Sequence, residues 1–289
     1  MTTLKKIAVI NDLSGLGKCS LTAALPVISV MGVQACPLPT AVLSNQTGFS
    51  SYYCVDFTDH MEAYIEEWEK RNFSPDGIYC GYLADGRQAE LAESFITRFS
   101  KNAPLILVDP VMGDQGCTYD MYSDTFLEKM RSLVKRADVI TPNLTEALLL
   151  LYGKEEMQKR WACLSKAADK EIQIELEEIG RLLTERFGLR AAAVTGIDLQ
   201  TTDGVAMGNL VCQQGEIFWV TAKKEGGSYS GTGDLFASVL AAGLVQGMEL
   251  LTCVQKAVDF LGGAIRDAVK EGRDRNEGVC FEKYLKLLL

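Results

Sequence analysis

Short runs of consecutive apolar residues alternate with segments of helical period along this chain. The run Ile7-Ala8-Val9-Ile10 predicts a buried strand, and residues 17–31 a helix. Strands follow at 77–81, 104–109, 138–141 and 191–195, with helices at 85–99, 123–135 and 143–152. Apolar runs separated by helices predict a parallel sheet covered on both faces. Residues 154–187 carry both charge signs and predict one or two amphipathic surface helices. Two closely linked strands are expected at 204–208 and 216–222, with Gln213-Gln214-Gly215 as the turn, so antiparallel β joins the parallel sheet. Helices at 233–246 and 250–271 close the pattern. No Pro/Ser-rich linker or repeat interrupts it. The expectation is one domain over 1–289, a three-layer α/β/α fold with a mostly parallel central sheet.

Composition narrows the function. The chain has 289 residues, 47% of them hydrophobic, enough to bury a full core. A net charge of −9 argues against nucleic-acid binding through bulk charge. The nine cysteines are scattered and never spaced C-x-x-C, which predicts reduced thiols and a cytoplasmic protein. The start of the chain does not read as a signal peptide, and no apolar run is long enough for a membrane span. The single histidine, His60, sits at a helix-start signal beside Asp59 and Glu62, as a solvated or capping residue does. Ser-His-Asp, Cys-His and multi-His metal chemistry are thereby disfavoured, and acid–base work falls to Asp, Glu, Lys, Cys or Tyr.

Five motifs could carry that chemistry. Asn11-Asp12-Leu13-Ser14-Gly15-Leu16-Gly17-Lys18-Cys19 follows a strand and opens a helix. A phosphate-binding P-loop would need glycine at Asp12 and Ser or Thr at Cys19, and a dinucleotide fingerprint would need glycine at Ser20. It reads instead as a pocket-lining loop of small polar residues. The stretch 39–53 is uncharged and rich in hydroxyls and amides, as expected of a loop over a neutral or aromatic substrate. Asp109, in Asp109-Pro110-Val111-Met112-Gly113-Asp114, closes an apolar strand, where a carboxylate can hold Mg²⁺ or be a simple turn residue. Asn143 and Glu146 have the spacing of a capping box. Gly231-Thr232-Gly233-Asp234 runs from a glycine-rich turn into a helix, so the amides of residues 231–233 can bind an anion beside a carboxylate.

In this order the motifs resemble the ribokinase-like superfamily, in its vitamin kinase branch. Gly231-Thr232-Gly233-Asp234 is similar to its G-x-G-D signature and Asn143-Leu144-Thr145-Glu146 to its N-x-x-E motif. Between Ile10 and Thr40 there is room for one helix and one strand only, so no separate β lid is expected. Within the branch, Asp109 to Gly113, the stretch Thr40 to Gly48, and Gly81-Tyr82-Leu83 are most similar to the pyridoxal kinases. Gln46 stands where that group often has His, and Asp12-Leu13-Ser14-Gly15 is closer to the D-P-S-G of hydroxymethylpyrimidine kinases.

The resemblance implies ATP-dependent phosphorylation of a hydroxymethyl group on a heteroaromatic alcohol, with Asp234 as base. It implies Asn11, Asp12, Thr40, Ser44 and Tyr82 at the substrate. It implies Asp109, Asn143, Glu146, Thr195 and Thr232 at ATP, and Asp109, Asp114, Thr141 and Glu146 at Mg²⁺ or a monovalent cation (K⁺ or Na⁺). A homodimer is implied as well, with no nucleic-acid or membrane partner. Three rivals stand beside a B6-vitamer kinase: a hydroxymethylpyrimidine kinase, a nicotinamide-dependent oxidoreductase and a non-catalytic ligand sensor. The missing third glycine weighs against the oxidoreductase, and the intact Asp234 against the sensor.

Overall fold

A computed structural model describes residues 4–164, 170–202 and 204–289. Its contacts distinguish two compact units: Met1–Asp109 with Glu225–Leu289, and Pro110–Lys224.

The first unit opens with β1 (Lys6–Leu16), α1 (Ser20–Val30), β2 (Gln34–Asn45) and β3 (Cys54–Asp56). It continues through α2 (Thr58–Lys70), β4 (Gly77–Cys80), α3 (Gly86–Phe99) and β5 (Leu105–Val108). Strand order is β5-β4-β1-β2-β3, parallel except for the edge pair β2–β3. Ile7, Ala8, Val9 and Ile10 are all fully buried, as a parallel strand covered on both faces requires. Asp85 caps α3, accepting from the Gln88 amide at 2.9 Å. A ring cluster of Trp68, Phe73, Phe95 and Phe99 packs α2 on α3.

The second unit begins with a small hairpin, β6 (Gly113–Asp114) and β7 (Cys117–Thr118), then α4 (Asp124–Val134) and β8 (Val139–Ile140). Next come α5 (Leu144–Tyr152), α6 (Lys154–Leu164), α7 (Lys170–Phe187), β9 (Ala191–Thr201), β10 (Gly204–Gln213) and β11 (Glu216–Lys223). Its strand order is β11-β10-β9-β8, with β8–β9 parallel and the other pairs antiparallel. The charged stretch 154–187 forms two helices, α6 and α7; its residues 165–169 lie outside the described residues. The chain then returns to the first unit as α8 (Thr232–Val245) and α9 (Leu250–Lys270). Helix α8 packs on α1, α9, β4 and β5. It lies close on β4 because Gly77 has no side chain; a Cβ there would stand 2.5 Å from Val245.

Parts of two expected loops are strand instead. β1 runs on to Leu16 and β2 to Asn45, paired in parallel from Leu13↔Val42 to Leu16↔Asn45. The hydroxyl-rich sequence hides this pairing, because the ladder satisfies the backbone whatever the side chains carry. Helix α1 consequently starts at Ser20 rather than at residue 17, where Gly17 has φ +97°. Strands β9 and β10 likewise extend well past the expected 191–195 and 204–208. All nine cysteines are free. Among the described residues no helix is long and apolar enough to cross a membrane.

Candidate active site

The ladder between β1 and β2 shifts register between Asn11 and Leu13. Such a bulge re-aims side chains, and here two consecutive polar residues, Asn11 and Asp12, are both buried. The Asn11 carboxamide is bonded at both ends. Its Oδ1 accepts the amides of Asp12 at 3.0 Å and Tyr82 at 2.9 Å. That fixes its orientation, so Nδ2 must donate outward, and it does so to Asp234 Oδ1 at 3.0 Å. Gly81 makes this possible: a Cβ there would stand 2.5 Å from Asn11 Nδ2.

Asp234 is the third residue of α8. Burial of its carboxyl pushes the pKa up to about 6, and the nearby Asp12 charge pushes the same way. The Ser20 amide, Asn11 and Tyr79 oppose the rise. Ser20 holds φ +51°, rare for a residue with a side chain, at the first position of α1. That unusual turn directs its amide to Asp234, while its side chain bonds Asp12. Burial raises the Asp12 pKa as well, opposed by Ser20 and Ser14, whose hydroxyl donates to Asp12 Oδ2 at 2.9 Å. Cys19 is pushed up to about 12 by burial and by Asp234 and Asp12, so it stays a neutral thiol rather than a nucleophile.

The glycine-rich turn ends at Gly231, the N-cap of α8, with φ +82°. A Cβ on Gly231 would stand 1.9 Å from the Lys18 carbonyl oxygen, so glycine lets the two helix starts meet. No side chain caps α8. The first-turn amides are therefore those of Thr232, Gly233 and Asp234, one residue later than the expected set 231–233. Gly233 is exposed; a Cβ there would meet only Asp109 Oδ2, at 3.8 Å. Thr232 turns its hydroxyl back to the Tyr229 carbonyl at 3.0 Å. An uncapped helix start with a bare glycine and an adjacent carboxylate can take an anion and accept a proton beside it.

Thr40 is fully buried and donates to the Tyr82 carbonyl at 3.1 Å, so the two expected substrate residues are tied together. Burial raises the Tyr82 hydroxyl pKa. Ser44 is exposed, with its hydroxyl engaged by Asn45 and by the Tyr53 amide. No described hydrogen bond links it to Asn11, Thr40 or Tyr82. His60 lies exposed on α2, as its neighbours predict.

The remaining expected residues belong to the second unit. Asn143 and Glu146 form the capping box of α5: the Asn143 side chain accepts from the Glu146 amide at 3.0 Å, and Glu146 Oε2 accepts from the Asn143 amide at 2.9 Å. The same pair anchors the segment after Asp109. Glu146 Oε1 accepts the Met112 amide at 3.1 Å, and Asn143 Nδ2 donates to the Gly113 carbonyl at 2.8 Å. Thr195 bridges to Asn143 and donates its amide to the Pro142 carbonyl at 2.9 Å. Thr141 is buried, and Asp114 accepts the Gln115 amide at 2.9 Å. Each Glu146 oxygen holds one backbone amide.

No group of three or more His, Cys, Asp or Glu among the described residues could hold a metal ion. Mg²⁺ keeps most of its waters and binds one or two carboxylates plus substrate phosphates, so it does not need such a group. Sequence reasoning passed over Ser20 and Tyr79. A tyrosine inside the otherwise apolar Gly77–Cys80 strand was the available signal for the second; nothing local signalled the positive φ of Ser20.

The phosphomethylpyrimidine kinase family model matches residues 17–278. A crystal form, with pyridoxal, of a protein assigned as a phosphomethylpyrimidine kinase from Bacteroides thetaiotaomicron VPI-5482 is 38% identical. It superposes with a TM-score of 0.89 over 99% of this chain and 96% of its own. Pyridoxal kinase from Lactobacillus plantarum is 28% identical, with a TM-score of 0.83 over 99% of this chain and 97% of its own. A hydroxymethylpyrimidine/phosphomethylpyrimidine kinase from Staphylococcus aureus (strain MSSA476) is 27% identical over 73% of this chain and 70% of its own. The helix-flanked, mostly parallel sheet, the Gly-Thr-Gly-Asp helix start and these matches agree: the chain belongs to the phosphomethylpyrimidine kinase family, ribokinase-like phosphotransferases that act on an alcohol.

Proposed function

We propose that the chain phosphorylates the hydroxymethyl group of a B6 vitamer (pyridoxal, pyridoxamine or pyridoxine) with ATP. The observation that carries this reading is Asp234, held by Asn11 beneath the uncapped start of α8. The substrate hydroxyl gives its proton to Asp234 as its oxygen attacks the γ-phosphorus, and the bond to the departing ADP breaks. The Thr232, Gly233 and Asp234 amides receive charge on the transferring phosphoryl group. Mg²⁺, when bound with the nucleotide, would neutralise phosphate charge, and Asp109, Asp114 and Glu146 are donors of the right kind. Asn143, Thr141 and Thr195 are read as nucleotide-side or cation-side residues of the second unit. Thr40 and Tyr82 are read as the aromatic substrate's neighbours. The pyridoxal present with the 38% identical relative supports the ring chemistry.

Hydroxymethylpyrimidine is the second reading. Asp12 with Ser14 favours it, as does the likeness to the Staphylococcus aureus kinase. Asp234 weighs against it, because the hydroxymethylpyrimidine kinases that the sequence resembles usually carry Cys after Gly-Thr-Gly; both readings phosphorylate a hydroxymethyl group on a heteroaromatic ring. A panel of pyridoxal, pyridoxamine, pyridoxine and hydroxymethylpyrimidine, each with ATP and Mg²⁺, separates them. One or more B6 vitamers is expected to exceed the pyrimidine in kcat/KM by tenfold or more, a difference of about 1.4 kcal/mol. The reverse order would transfer the assignment to the pyrimidine.

Gly233 gives an independent check on the anion site. Its missing Cβ would make only ordinary contact, so Gly233→Ala should fold with a melting temperature near wild type. The methyl would nevertheless crowd a phosphoryl group received at the uncapped helix start. Turnover is expected to fall about 10²-fold, the scale on which a phosphoryl group held away from one oxyanion-type donor loses its stabilisation. Unchanged steady-state kinetics in this variant would remove the amides from the mechanism.

A further inference from the structure

Tyr79 is a fully buried tyrosine in a strand where every other residue is Gly, Ile or Cys. Its hydroxyl makes no hydrogen bond of ordinary length among the described residues, yet it lies near enough to Asp234 to oppose the rise of that carboxyl's pKa. Phenylalanine would fill the same volume without leaving a buried O–H unmet, so packing alone does not explain the hydroxyl. The strand's alternation says where it points. Gly77 lies beneath Val245 of α8, and Tyr79, two residues on, shares that face. Tyr79 also pairs with Val9 in parallel register, and Asn11, two residues beyond Val9, bonds Asp234. Tyr79, Asn11 and the start of α8 therefore meet on one side of the sheet. The charges of Asp234 and Asp109 both act on the phenol.

We propose that Tyr79 is a positioning residue for Asp234: its hydroxyl points its proton at the Asp234 carboxylate already in the free protein, draws closer as substrate binds and, with Asn11, holds that carboxylate toward the attacking hydroxyl. Catalytic hydrogen bonds are often long in the free enzyme and tighten in the substrate complex. Asn11 restrains one carboxylate oxygen, and a donor from β4 stops rotation about the remaining torsion. The inference rests on Asp234 being the base, so its test is read at two levels.

A thermal-melt cycle across Tyr79→Phe, Asp234→Asn and the double variant reports the contact without any activity. Melting shifts are expected to be non-additive by about 2 °C or more, as for groups in one hydrogen-bond network. Steady-state kinetics of Tyr79→Phe should then show kcat reduced about tenfold, with KM for both substrates within about twofold, the signature of an interaction made in the transition state. Additive melts, or an unchanged kcat, overturn the proposal. Failure of the underlying reading looks different: Asp234→Asn would retain turnover, or the wild type would phosphorylate none of the alcohols, while the melt cycle still decides whether Tyr79 and Asp234 touch.

Discussion

Asp234→Asn is expected to abolish turnover while making the protein more stable at neutral pH. The rate loss should be at least about 10²-fold, the usual contribution of a positioned general base. The stability gain follows from the sign of the pKa displacement. Asp234 moves from 3.8 to about 6 on folding, mainly through burial. The folded state therefore holds a proton more tightly than the unfolded chain, and stability from the protonated form is complete below 3.8 and lost as pH rises through 6. At pH 7 to 8 the ionised carboxylate is a net cost, at most about 3 kcal/mol by the displacement. Asparagine removes that cost but cannot accept both the Asn11 and Ser20 donors as well as a carboxylate does, so a gain of about 1 kcal/mol is the realistic expectation. Melting temperatures at pH 7.5 and pH 4 check it: the variant should lead at pH 7.5 and lose the lead at pH 4. The wild-type kcat/KM should fall tenfold per pH unit below about 6, where Asp234 takes up its proton. A variant that stays active, or one that is less stable at pH 7.5, contradicts the assignment.

Gly231→Ala carries the second large effect, and it acts on the fold. The added methyl would stand 1.9 Å from a backbone oxygen of Lys18, at a residue whose φ is +82°. Neither the carbonyl nor the φ can relax without moving the start of α1, and with it the Ser20 amide that reaches Asp234. Left-handed strain alone costs about 1–2 kcal/mol, and overpacking adds about 1–3 kcal/mol. Unfolding in urea should show a loss of about 3 kcal/mol, with residual activity far below that of Gly233→Ala. Two glycines two positions apart thus separate by mechanism: one is needed for chain approach, the other for an empty space. Equal stability of the two variants would show that the helix starts do not depend on their close contact.

Much of this was legible in the sequence. The apolar runs at 7–10, 77–80 and 105–108 name their strands because a strand buried on both faces has no room for polar residues. Gly231 to Asp234 named the start of α8 because glycine at a helix start is a backbone requirement that leaves a local trace. The capping pair Asn143 and Glu146 was equally local. The extension of β1 and β2 was not, because a ladder satisfies any backbone and the hydroxyl-rich stretch carries no alternation to mark it. Neither was the pairing of Asn11 with Asp234, which joins residues 223 positions apart through a bulge. Tyr79 illustrates the remaining gap: its residue type was visible, but only the strand register shows which helix it faces.

The order of synthesis follows from the way the first unit is divided. Asn11 and Asp12 leave the ribosome early, whereas Asp234 follows 223 residues after Asn11. The contiguous segment Pro110–Lys224 is complete before α8 exists, and domains tend to fold as units during synthesis. Until α8 arrives, the buried carboxamide of Asn11 has one of its partners missing. The contact between Asn11 and Asp234 cannot form until nearly all of the chain has been made, and any truncation before residue 234 removes it.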